Sequence, residues 1–361
     1  KKNQTVHYSA QMPNCRSCNT PIEAFMSFGQ QPMANALVAP TRAHTDQLTY
    51  ELAPAMCAVC GLFQLLDQPT ATSMFTEEYP FFTSSSKFMS DHFAAFAQNL
   101  IENNRSLNDK GFIVDIGSND GTLLKNFAKN AINHLGVEPS KSVAELAKKN
   151  GVNTHISFFN SETASLIRKE YGPADIILGT NVIAHIATIN DVALGVTSLL
   201  KEKGVFIIEA VYLGDMILNT AFDQLYDEHV FTFSATAVRN VFRKHGLELV
   251  NVERQTVHGG SMRYTLAPPG SHECSDAVEA LLNDEARNGL TNPETYVLFR
   301  QRCEAIRRDL PLLVREISAS GRKIVGYGAT AKSVTVLNYC GLEINDISWI
   351  QDSTITKQGM L

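Results

Sequence analysis

Four of the seven cysteines form two pairs with the spacing of metal ligands. Cys15 and Cys18 make the first C-x-x-C pair, and Cys57 and Cys60 make the second, with 38 residues between the pairs. Each pair places two thiolates on one ion, and two pairs complete the four-sulfur shell that zinc takes in closed structural sites. Four ordinary buried cysteines and a redox pair are the alternatives. We expect one structural zinc ion with no open position for a substrate.

A glycine loop with acidic neighbours follows the first apolar run in the middle of the chain. Residues 115–121 read DIGSNDG, which has G-x-x-x-G spacing and lacks the G-x-G-x-x-G of a dinucleotide site. The carboxylates of Asp115 and Asp120 would repel a pyrophosphate at this helix start, whereas S-adenosylmethionine carries an ammonium, a sulfonium and no phosphate. The loop therefore favours this methyl donor. A nucleotide-binding or degenerate sheet is the alternative.

Further residues at the ends of the next strands suit the same cofactor. Glu138 ends the second strand, 17 residues after Gly121, where its carboxylate can accept both ribose hydroxyls. Phe158 and Phe159 follow the third strand and can cover an adenine, although paired phenylalanines are also common in cores. Asn181 ends the fourth strand. The predicted cofactor residues are Asp115, Gly117, Ser118, Asn119, Gly121, Glu138, Phe158 and Asn181.

Three polar clusters fall where a substrate would meet the methyl group. Residues 226–229 read YDEH after the fifth strand, His185 lies four residues after Asn181, and the segment 79–86, YPFFTSSS, precedes His92. Methylation at carbon needs a base that titrates near neutrality, which suits histidine, and hydrogen-bond donors for the enolate oxygen. Methylation at oxygen or nitrogen needs less of this. The alternative interpretation of each residue is an ordinary buried side chain without a catalytic role.

Short apolar runs alternate with helical segments from residue 112 onward. The predicted strands are FIVDI, HLGVE, VNTHI, ADIILGT and GVFIIEA, with helices between them, as in a parallel doubly wound sheet. A helix capped by Ser234 and ended by Gly246 follows, and then the strands LELVNVER and SMRYTLA. This order is the layout of the seven-stranded methyltransferase sheet. We therefore predict an α/β, Rossmann-like class I methyltransferase fold.

Length and composition restrict the class of protein. The 361 residues predict two or three domains, and 44% hydrophobic against 19% charged residues is ordinary for a globular protein. A net charge of −6 gives no sign of nucleic acid or an anionic membrane as a partner, and the best apolar run, residues 205–218, is too short to span a membrane.

The odd cysteine count and a start without a signal-peptide core favour the cytoplasm. The oligomeric state stays open. The thiols without metal spacing are Cys274, Cys303 and Cys340.

A glycine turn near the C-terminus suits an anion. Residues 322–333, RKIVGYGATAKS, follow a predicted polar helix pair at 273–318 and indicate a strand, a tight turn and a helix start. The N–H groups of Gly328 and Ala329, with the Lys332 ammonium, can hold a diphosphate at that helix start. Arg263 is a second candidate for the same group. A turn without any ligand is the alternative.

The motifs, taken in order, resemble those of a known family. CRSC with CAVCG, YPFFTSSS, VDIGSNDGTLL, NVIAH, YDEHVFTFS, HGGSMR and GYGATAKSVTVLN are similar to the zinc-containing sugar C-methyltransferases, which make branched deoxysugars. The likeness runs from residue 15 to the C-terminus, and the family continues past residues 357–359 where this chain stops at Leu361. It implies a zinc-binding domain (1–70), a methyltransferase domain (71–268) and a C-terminal Rossmann-like α/β domain (269–361). The family's active site lies between the last two.

The resemblance also implies the roles of the site residues. His229 is the expected base, next to Tyr226 and Glu228, with His185 as second active-site histidine and Tyr79 as the N-terminal tyrosine. The implied reaction transfers a methyl group from S-adenosylmethionine to C-3 of a nucleotide-linked 4-keto-6-deoxyhexose through an enolate. Two alternatives stay open: methylation of oxygen or nitrogen on a sugar or small metabolite, and a zinc scaffold that binds S-adenosylmethionine without catalysis.

Overall fold

The structure is a computed structural model, and it describes residues 12–42, 47–77, 79, 81–104, 107, 110–354 and 357–360. The expected absence of a signal-peptide core concerns residues 1–10, which lie outside these ranges, as does the last residue, Leu361. No helix within the described ranges has the length and apolar character needed to cross a membrane.

The described strands and helices are numbered in chain order. The strands are β1 Gln30–Pro32, β2 Thr49–Glu51, β3 Pro54–Met56, β4 Phe63–Leu65, β5 Phe112–Ile116, β6 Asn133–Val137, β7 Thr154–His155, β8 Ala174–Thr180, β9 Leu200–Val211, β10 Phe231–Thr232, β11 Glu248–Gln255, β12 Ser261–Ala267, β13 Gly326–Tyr327 and β14 Ile350–Gln351. The α-helices are α1 Ala71–Met74, α2 Lys87–Asn103, α3 Lys125–Lys129, α4 Lys141–Lys149, α5 Ser161–Tyr171, α6 Ile189–Leu199, α7 Leu213–Asn219, α8 Ala235–Arg243, α9 Asp276–Arg287, α10 Pro293–Ala319 and α11 Ala331–Cys340. Short 3-10 helices cover Pro40–Arg42, Thr83–Ser85, Ile183–His185, Phe222–Gln224 and Val257–Gly259.

A seven-stranded sheet forms the centre of the molecule, in the order β11-β12-β9-β8-β5-β6-β7. Strands β5 to β9 run parallel, and β12 and β11 add an antiparallel hairpin at one edge. The predicted class I methyltransferase layout is confirmed, and β5, β8 and β12 have the predicted bounds. Two elements are shorter in the structure than the sequence predicts. The third strand is limited to the two residues of β7, and the helix after the glycine loop is limited to α3.

Side chains of the parallel strands are buried on both faces, which explains their nearly continuous apolar sequences. Successive residues point to opposite faces, so Val114 packs in one core cluster and Ile113 in the other. The helix after β10 begins where the sequence predicts, since Ser234 Oγ accepts the Ala237 N–H at 3.1 Å. The carboxyl ends of the parallel strands thus lie side by side at one edge, where the candidate site residues follow them.

The N-terminal region is joined to the central region by a small shared sheet. Strands β3 and β4 pair with each other, and β10 pairs with β4, in the order β10-β4-β3. Cys57 and Cys60 lie in the turn between β3 and β4. Because β10 begins two residues after His229, this pairing places the N-terminal region against the predicted catalytic segment.

The C-terminal region packs on the same segment from another side. The predicted helix pair corresponds to α9 and α10, and β13 pairs in parallel with β14. The Thr335 hydroxyl on α11 donates to the Leu225 carbonyl oxygen at 2.6 Å. The Tyr339 ring contacts the rings of Phe28 and Phe222, with centroids 4.6 and 5.6 Å apart. The N-terminal and C-terminal regions therefore both pack against residues 222–229. The boundaries 1–70, 71–268 and 269–361 stay predictions.

Candidate active site

The four paired cysteines converge on one point. Their Sγ atoms lie within 4.8 Å of one another, with 3.6 Å between Cys15 and Cys60 and 3.4 Å between Cys18 and Cys57. Zinc–sulfur bonds of about 2.3 Å in a tetrahedron put the sulfurs about 3.8 Å apart. Four thiolates at these distances fit a structural zinc ion. They fill its coordination shell, so no position is left for a substrate.

A cavity of about 870 Å³ opens at the carboxyl ends of the parallel strands. The resemblance implied an active site between the methyltransferase and C-terminal domains. The N-terminal region, however, also contributes to the cavity wall, through Arg16, Asn35 and Gln68. Gln64 connects this wall to the cysteine cluster. Its side chain donates to Cys15 Sγ at 3.2 Å and accepts the Arg16 N–H at 3.0 Å.

Two buried carboxylates line the cavity beside the glycine loop. Glu138 accepts the N–H groups of Asn119 and Ser140 at 3.0 and 2.8 Å and has lone pairs left for hydroxyl donors. Asp115 is 2% exposed, and its Oδ1 has no hydrogen-bond partner among the described residues. Burial raises the pKa of both groups. An unpaired buried carboxylate fits the ammonium of S-adenosylmethionine, and Glu138 fits its ribose.

Close approaches shape the glycine loop. Gly117 has a φ of +64°, and a Cβ there would lie 2.4 Å from a methyl carbon of Val182. Asn119 adopts a left-handed φ of 49°. Its side chain fastens the segment after β4 to the loop, since Nδ2 donates to the Phe81 carbonyl at 3.1 Å and Oδ1 accepts the Thr83 N–H at 2.9 Å. The loop therefore lines the cavity and also holds the segment that follows Tyr79.

The remaining predicted cofactor residues differ in position. Ser118, Phe158 and Asn181 line the cavity, and Phe158 is 39% exposed. Gly121 is not part of the lining. It serves the turn instead, because its φ is +75° and a Cβ would lie 2.8 Å from a Val152 methyl carbon.

His229 is held in one tautomer. Its Nδ1 lies 2.8 Å from the Gln224 carbonyl oxygen, which can only accept, so Nδ1 carries the proton. Its Nε2 lies 2.9 Å from the Tyr226 hydroxyl and is left as the acceptor. Burial lowers the pKa of His229 well below 6.5 and raises that of Tyr226 well above 10, so both are uncharged at neutral pH. A general base requires a neutral imidazole whose unprotonated nitrogen can accept a proton, here Nε2.

His185 lies next to this base. The two imidazole centroids are 5.1 Å apart, and the His185 ring stacks on Phe75 at 6.0 Å. Burial, with a smaller contribution from His258, lowers the pKa of His185 to about 4. Two histidines that are 44 residues apart in the sequence are therefore neighbours in the cavity wall.

Glu228 and Tyr79 form a buried pair in the same wall. The Tyr79 hydroxyl donates to Glu228 Oε2 at 3.1 Å, and the Asn35 amide donates to Oε1. Burial raises the pKa of Glu228 to about 7. Asp227 lies outside the lining, where its Oδ1 accepts the Ala34 N–H at 3.1 Å. The five predicted catalytic residues all line one cavity: Tyr79, His185, Tyr226, Glu228 and His229.

Of the four predicted substrate residues, only Lys332 lines the cavity. Burial lowers its pKa and Asp223 partly offsets this, although no carboxylate of the described residues lies within 4.0 Å of its ammonium. The Ala329 N–H already donates to Asp352 Oδ2 at 2.8 Å, and the Gly328 N–H donates to the Gln351 carbonyl at 2.8 Å. Both backbone donors are thus occupied within the fold, and the contacts of Gly328 and Ala329 with a diphosphate stay predictions.

Arg263 also lies away from the cavity lining. Its Nη2 lies 2.6 Å from Glu209 Oε2, and the guanidinium covers the Phe96 ring at 3.6 Å from the centroid. His92, predicted with the 79–86 segment, binds the same carboxylate at 2.8 Å. Arg263 neutralises this buried acid, and its contact with a substrate stays a prediction.

Sequence reasoning missed several residues of the cavity wall. His258 lines it from the turn before β12, Lys357 from near the chain end, and Arg16, Asn35 and Gln68 from the N-terminal region. The HGG turn was the one available signal for His258. The others follow no spacing pattern, because the residues they meet lie far away in the sequence.

Known families and solved structures are similar to parts of this chain. Family models match three consecutive parts of the chain: a zinc binding domain over residues 15–75, a methyltransferase domain over 88–252 and a C-methyltransferase C-terminal domain over 256–361. Similar solved structures include magnesium protoporphyrin IX methyltransferase (ChlM) from Synechocystis PCC 6803 with bound SAH, at 14% identity, 50% of this chain, 83% of that chain and a TM-score of 0.39. A SAM-dependent methyltransferase from Anabaena variabilis matches at 18% identity, 48% of this chain, 84% of that chain and a TM-score of 0.39.

A curated relative matches over nearly the whole length. C-methyltransferase NovU from Streptomyces niveus is 32% identical over 337 residues, which cover 93% of this chain and 80% of NovU. Identity of this degree over this length, together with the three matching domains, shows the family. The chain belongs to the C-methyltransferase family with an N-terminal zinc-binding domain, and it is an S-adenosylmethionine-dependent C-methyltransferase.

Proposed function

We propose that this enzyme methylates C-3 of a nucleotide-linked 4-keto-6-deoxyhexose, a step that makes a branched deoxysugar. One observation carries the proposal: a neutral His229, with its tautomer set by Gln224, lines the same cavity as the buried acids Asp115 and Glu138. Carbon methylation next to a ketone needs such a base, because a C–H bond must first be broken. The resemblance of the motifs to sugar C-methyltransferases supports the choice of substrate.

The base acts on the carbon next to the ketone. His229 Nε2 takes the proton from C-3, while the C–H bonding electrons form the C3=C4 double bond and the ketone electrons move onto oxygen. Tyr226 gives up its hydrogen bond to Nε2 when the substrate enters, because one lone pair cannot serve both. The bound cofactor supplies an electrophilic methyl group for the enolate carbon. General base catalysis of this kind contributes roughly 10²–10⁴ in rate.

The other residues hold the two reactants in place. Asp115 holds the cofactor ammonium and Glu138 its ribose hydroxyls, as the unpaired oxygen and the free lone pairs suggest. Lys332, whose ammonium forms no salt bridge among the described residues, holds the substrate diphosphate. This local charge is needed because the chain as a whole carries −6. The free thiols of the described cysteines suit a reducing compartment, and we place the enzyme in the cytoplasm.

Two measurements test the proposal. The first offers the enzyme S-adenosylmethionine and a panel of nucleotide-linked 4-keto sugars, with mass spectrometry to detect the gain of one methylene. The second incubates an accepted sugar with enzyme in deuterated water without methyl donor. Wild-type enzyme should exchange the C-3 proton, and His229→Asn should stop the exchange.

The exposed His272 provides a matched control, and His272→Asn should exchange at the wild-type rate. Exchange that continues unchanged in His229→Asn rules out this base. A panel in which methylated products keep all carbon-bound protons, or in which no keto-sugar gains mass, rules out the proposed substrate.

A further inference from the structure

His258 is a third histidine of the cavity wall, beside His185 and His229. It lies in the 3-10 turn Val257–Gly259, between β11 and β12. Its ring nitrogens have no hydrogen bond to any described residue, whereas both nitrogens of His229 are engaged. The ring lies close enough to Lys332 for that ammonium to affect its pKa. An unengaged imidazole that lines a cavity is available to a ligand.

The backbone of His258 is held in an uncommon conformation. Its φ of 55° and ψ of 25° are left-handed values, which residues with a side chain rarely adopt. The Gln224 side chain contributes to this, since Nε2 donates to the His258 carbonyl oxygen at 2.8 Å. The Gln224 main-chain carbonyl meanwhile accepts the His229 Nδ1–H. One residue therefore positions two imidazoles, and strained residues of this kind cluster at functional sites.

The charge state of His258 suits a donor to a neutral group. Burial, followed by Lys332, lowers its pKa to about 4, so the ring is uncharged at neutral pH and carries one N–H. A neutral imidazole can polarise a carbonyl and hydrogen bond to the oxyanion that forms. Neutral His258 does not supply the positive charge that a diphosphate needs, and the adjacent Lys332 ammonium fills that role.

The tyrosine hydroxyls of the cavity wall have acceptors before a substrate enters. Tyr79 donates to Glu228 Oε2. Tyr226 donates to His229 Nε2 and gives up this acceptor only when the substrate enters, whereas the His258 ring has no partner to give up among the described residues. Glu228 is buried at 4% exposure, so Tyr79 would leave a buried carboxyl oxygen without its donor if it turned to the substrate. The unengaged imidazoles are the simpler source of a hydrogen bond.

We propose that His258 is a further catalytic residue, which donates a hydrogen bond to the substrate's ketone oxygen while His229 removes the neighbouring proton. The electron pair of the C–H bond moves toward that oxygen, the proton goes to His229 Nε2, and His258 keeps its own proton. Gln224 is the positioning residue for both rings. The inference rests on the proposed function, because it needs a substrate with a ketone.

The test uses two replacements that tolerate the left-handed backbone. His258→Gly removes the ring and relieves the positive φ, so the variant is expected to fold and to bind cofactor. His258→Asn keeps an N–H donor and also accepts positive φ. C-3 proton exchange in deuterated water and single-turnover methyl transfer are measured on a keto-sugar that wild-type enzyme accepts, with melting temperature and cofactor affinity as checks.

His258→Gly should slow both steps roughly 10²–10³-fold, the usual effect of losing one oxyanion donor, with KM for the sugar nearly unchanged. His258→Asn should recover part of the rate. Ala131→Gly is the backbone control, since Ala131 is exposed and has a φ of 54°, and its rates should equal wild type.

Wild-type exchange and transfer rates in His258→Gly would overturn the inference, as would a rise in KM with unchanged rates. These outcomes leave the proposed function intact, because His229→Asn still reports on it. If wild-type enzyme neither exchanges nor methylates any keto-sugar, the proposed function itself fails, and this inference fails with it.

Discussion

The Gln224 carbonyl oxygen lies 2.8 Å from Nδ1 of His229 and accepts its proton in a hydrogen bond. Because the contact uses the main chain, it fixes the tautomer of His229 without depending on the side chain at 224. That side chain makes a separate contact, with the His258 carbonyl oxygen at 2.8 Å. The position of the base proton and the position of the third histidine can therefore be perturbed independently.

The first prediction concerns pH. Burial, the neighbouring His185 and His258, and Lys332 all lower the pKa of His229, so its neutral form persists below pH 6.5. A base must be neutral, so kcat/KM should fall only as pH drops through this lowered pKa. Lys332→Gln removes one of the charges, raises the pKa and should move the acid limb to higher pH. A wild-type midpoint at or above 6.5, or an unmoved limb in the variant, would contradict this.

The second prediction concerns stability. Folding raises the pKa of Glu228 from 4.5 to about 7. Its contribution to the free energy of unfolding is therefore fully present below pH 4.5 and is lost as pH rises through 7. Glu228→Gln does not titrate, so its free energy of unfolding relative to wild type should increase by up to about 3 kcal/mol between pH 4.5 and pH 8. Denaturant unfolding of both proteins at several pH values measures the difference. A difference that does not change with pH would show that Glu228 is not protonated on folding.

The third prediction concerns the cofactor. Asp115 Oδ1 has no partner among the described residues, and burial raises its pKa. Asp115→Asn should weaken S-adenosylmethionine binding at least about tenfold, near 1.4 kcal/mol, while raising the melting temperature of the free protein at pH 8. Calorimetry and thermal unfolding give the two values.

Asp175 is the matched control for this variant. It accepts the Phe112 N–H and pairs with Lys201, away from the cavity lining. Asp175→Asn should lower stability and leave cofactor affinity unchanged. Equal affinity in Asp115→Asn and wild type would exclude the assigned contact.

The fourth prediction concerns zinc. The turn that contains Cys57 and Cys60 connects β3 to β4, and β4 pairs with β10, which begins two residues after His229. Cys57→Ser should lower zinc content below one per chain, lower the melting temperature, and reduce methyl transfer more than cofactor affinity. The control is Cys274→Ser, because this exposed thiol lies outside the cluster. Full zinc content and full activity in Cys57→Ser would refute the role of the cluster.

Much of the fold could be predicted from local patterns. The short apolar runs of β5, β8 and β12, the Ser234 cap and the spacing of four cysteines are each visible among residues close in sequence. Motif order predicted the methyltransferase sheet for the same reason, since strand order follows from chain order through short connections. The sequence by itself therefore determined the sheet, the zinc ligands and the candidate base.

The tertiary structure alone decided which polar groups remain free. Asn35 and Glu228 are 193 residues apart, and Arg263 and Glu209 are 54 apart, and no local pattern links either pair. Burial forces each such group to find a partner, because an unpaired buried charge is costly. That requirement paired Arg263 with Glu209 and the Ala329 N–H with Asp352, and it left Asp115, Lys332 and His258 in the cavity lining.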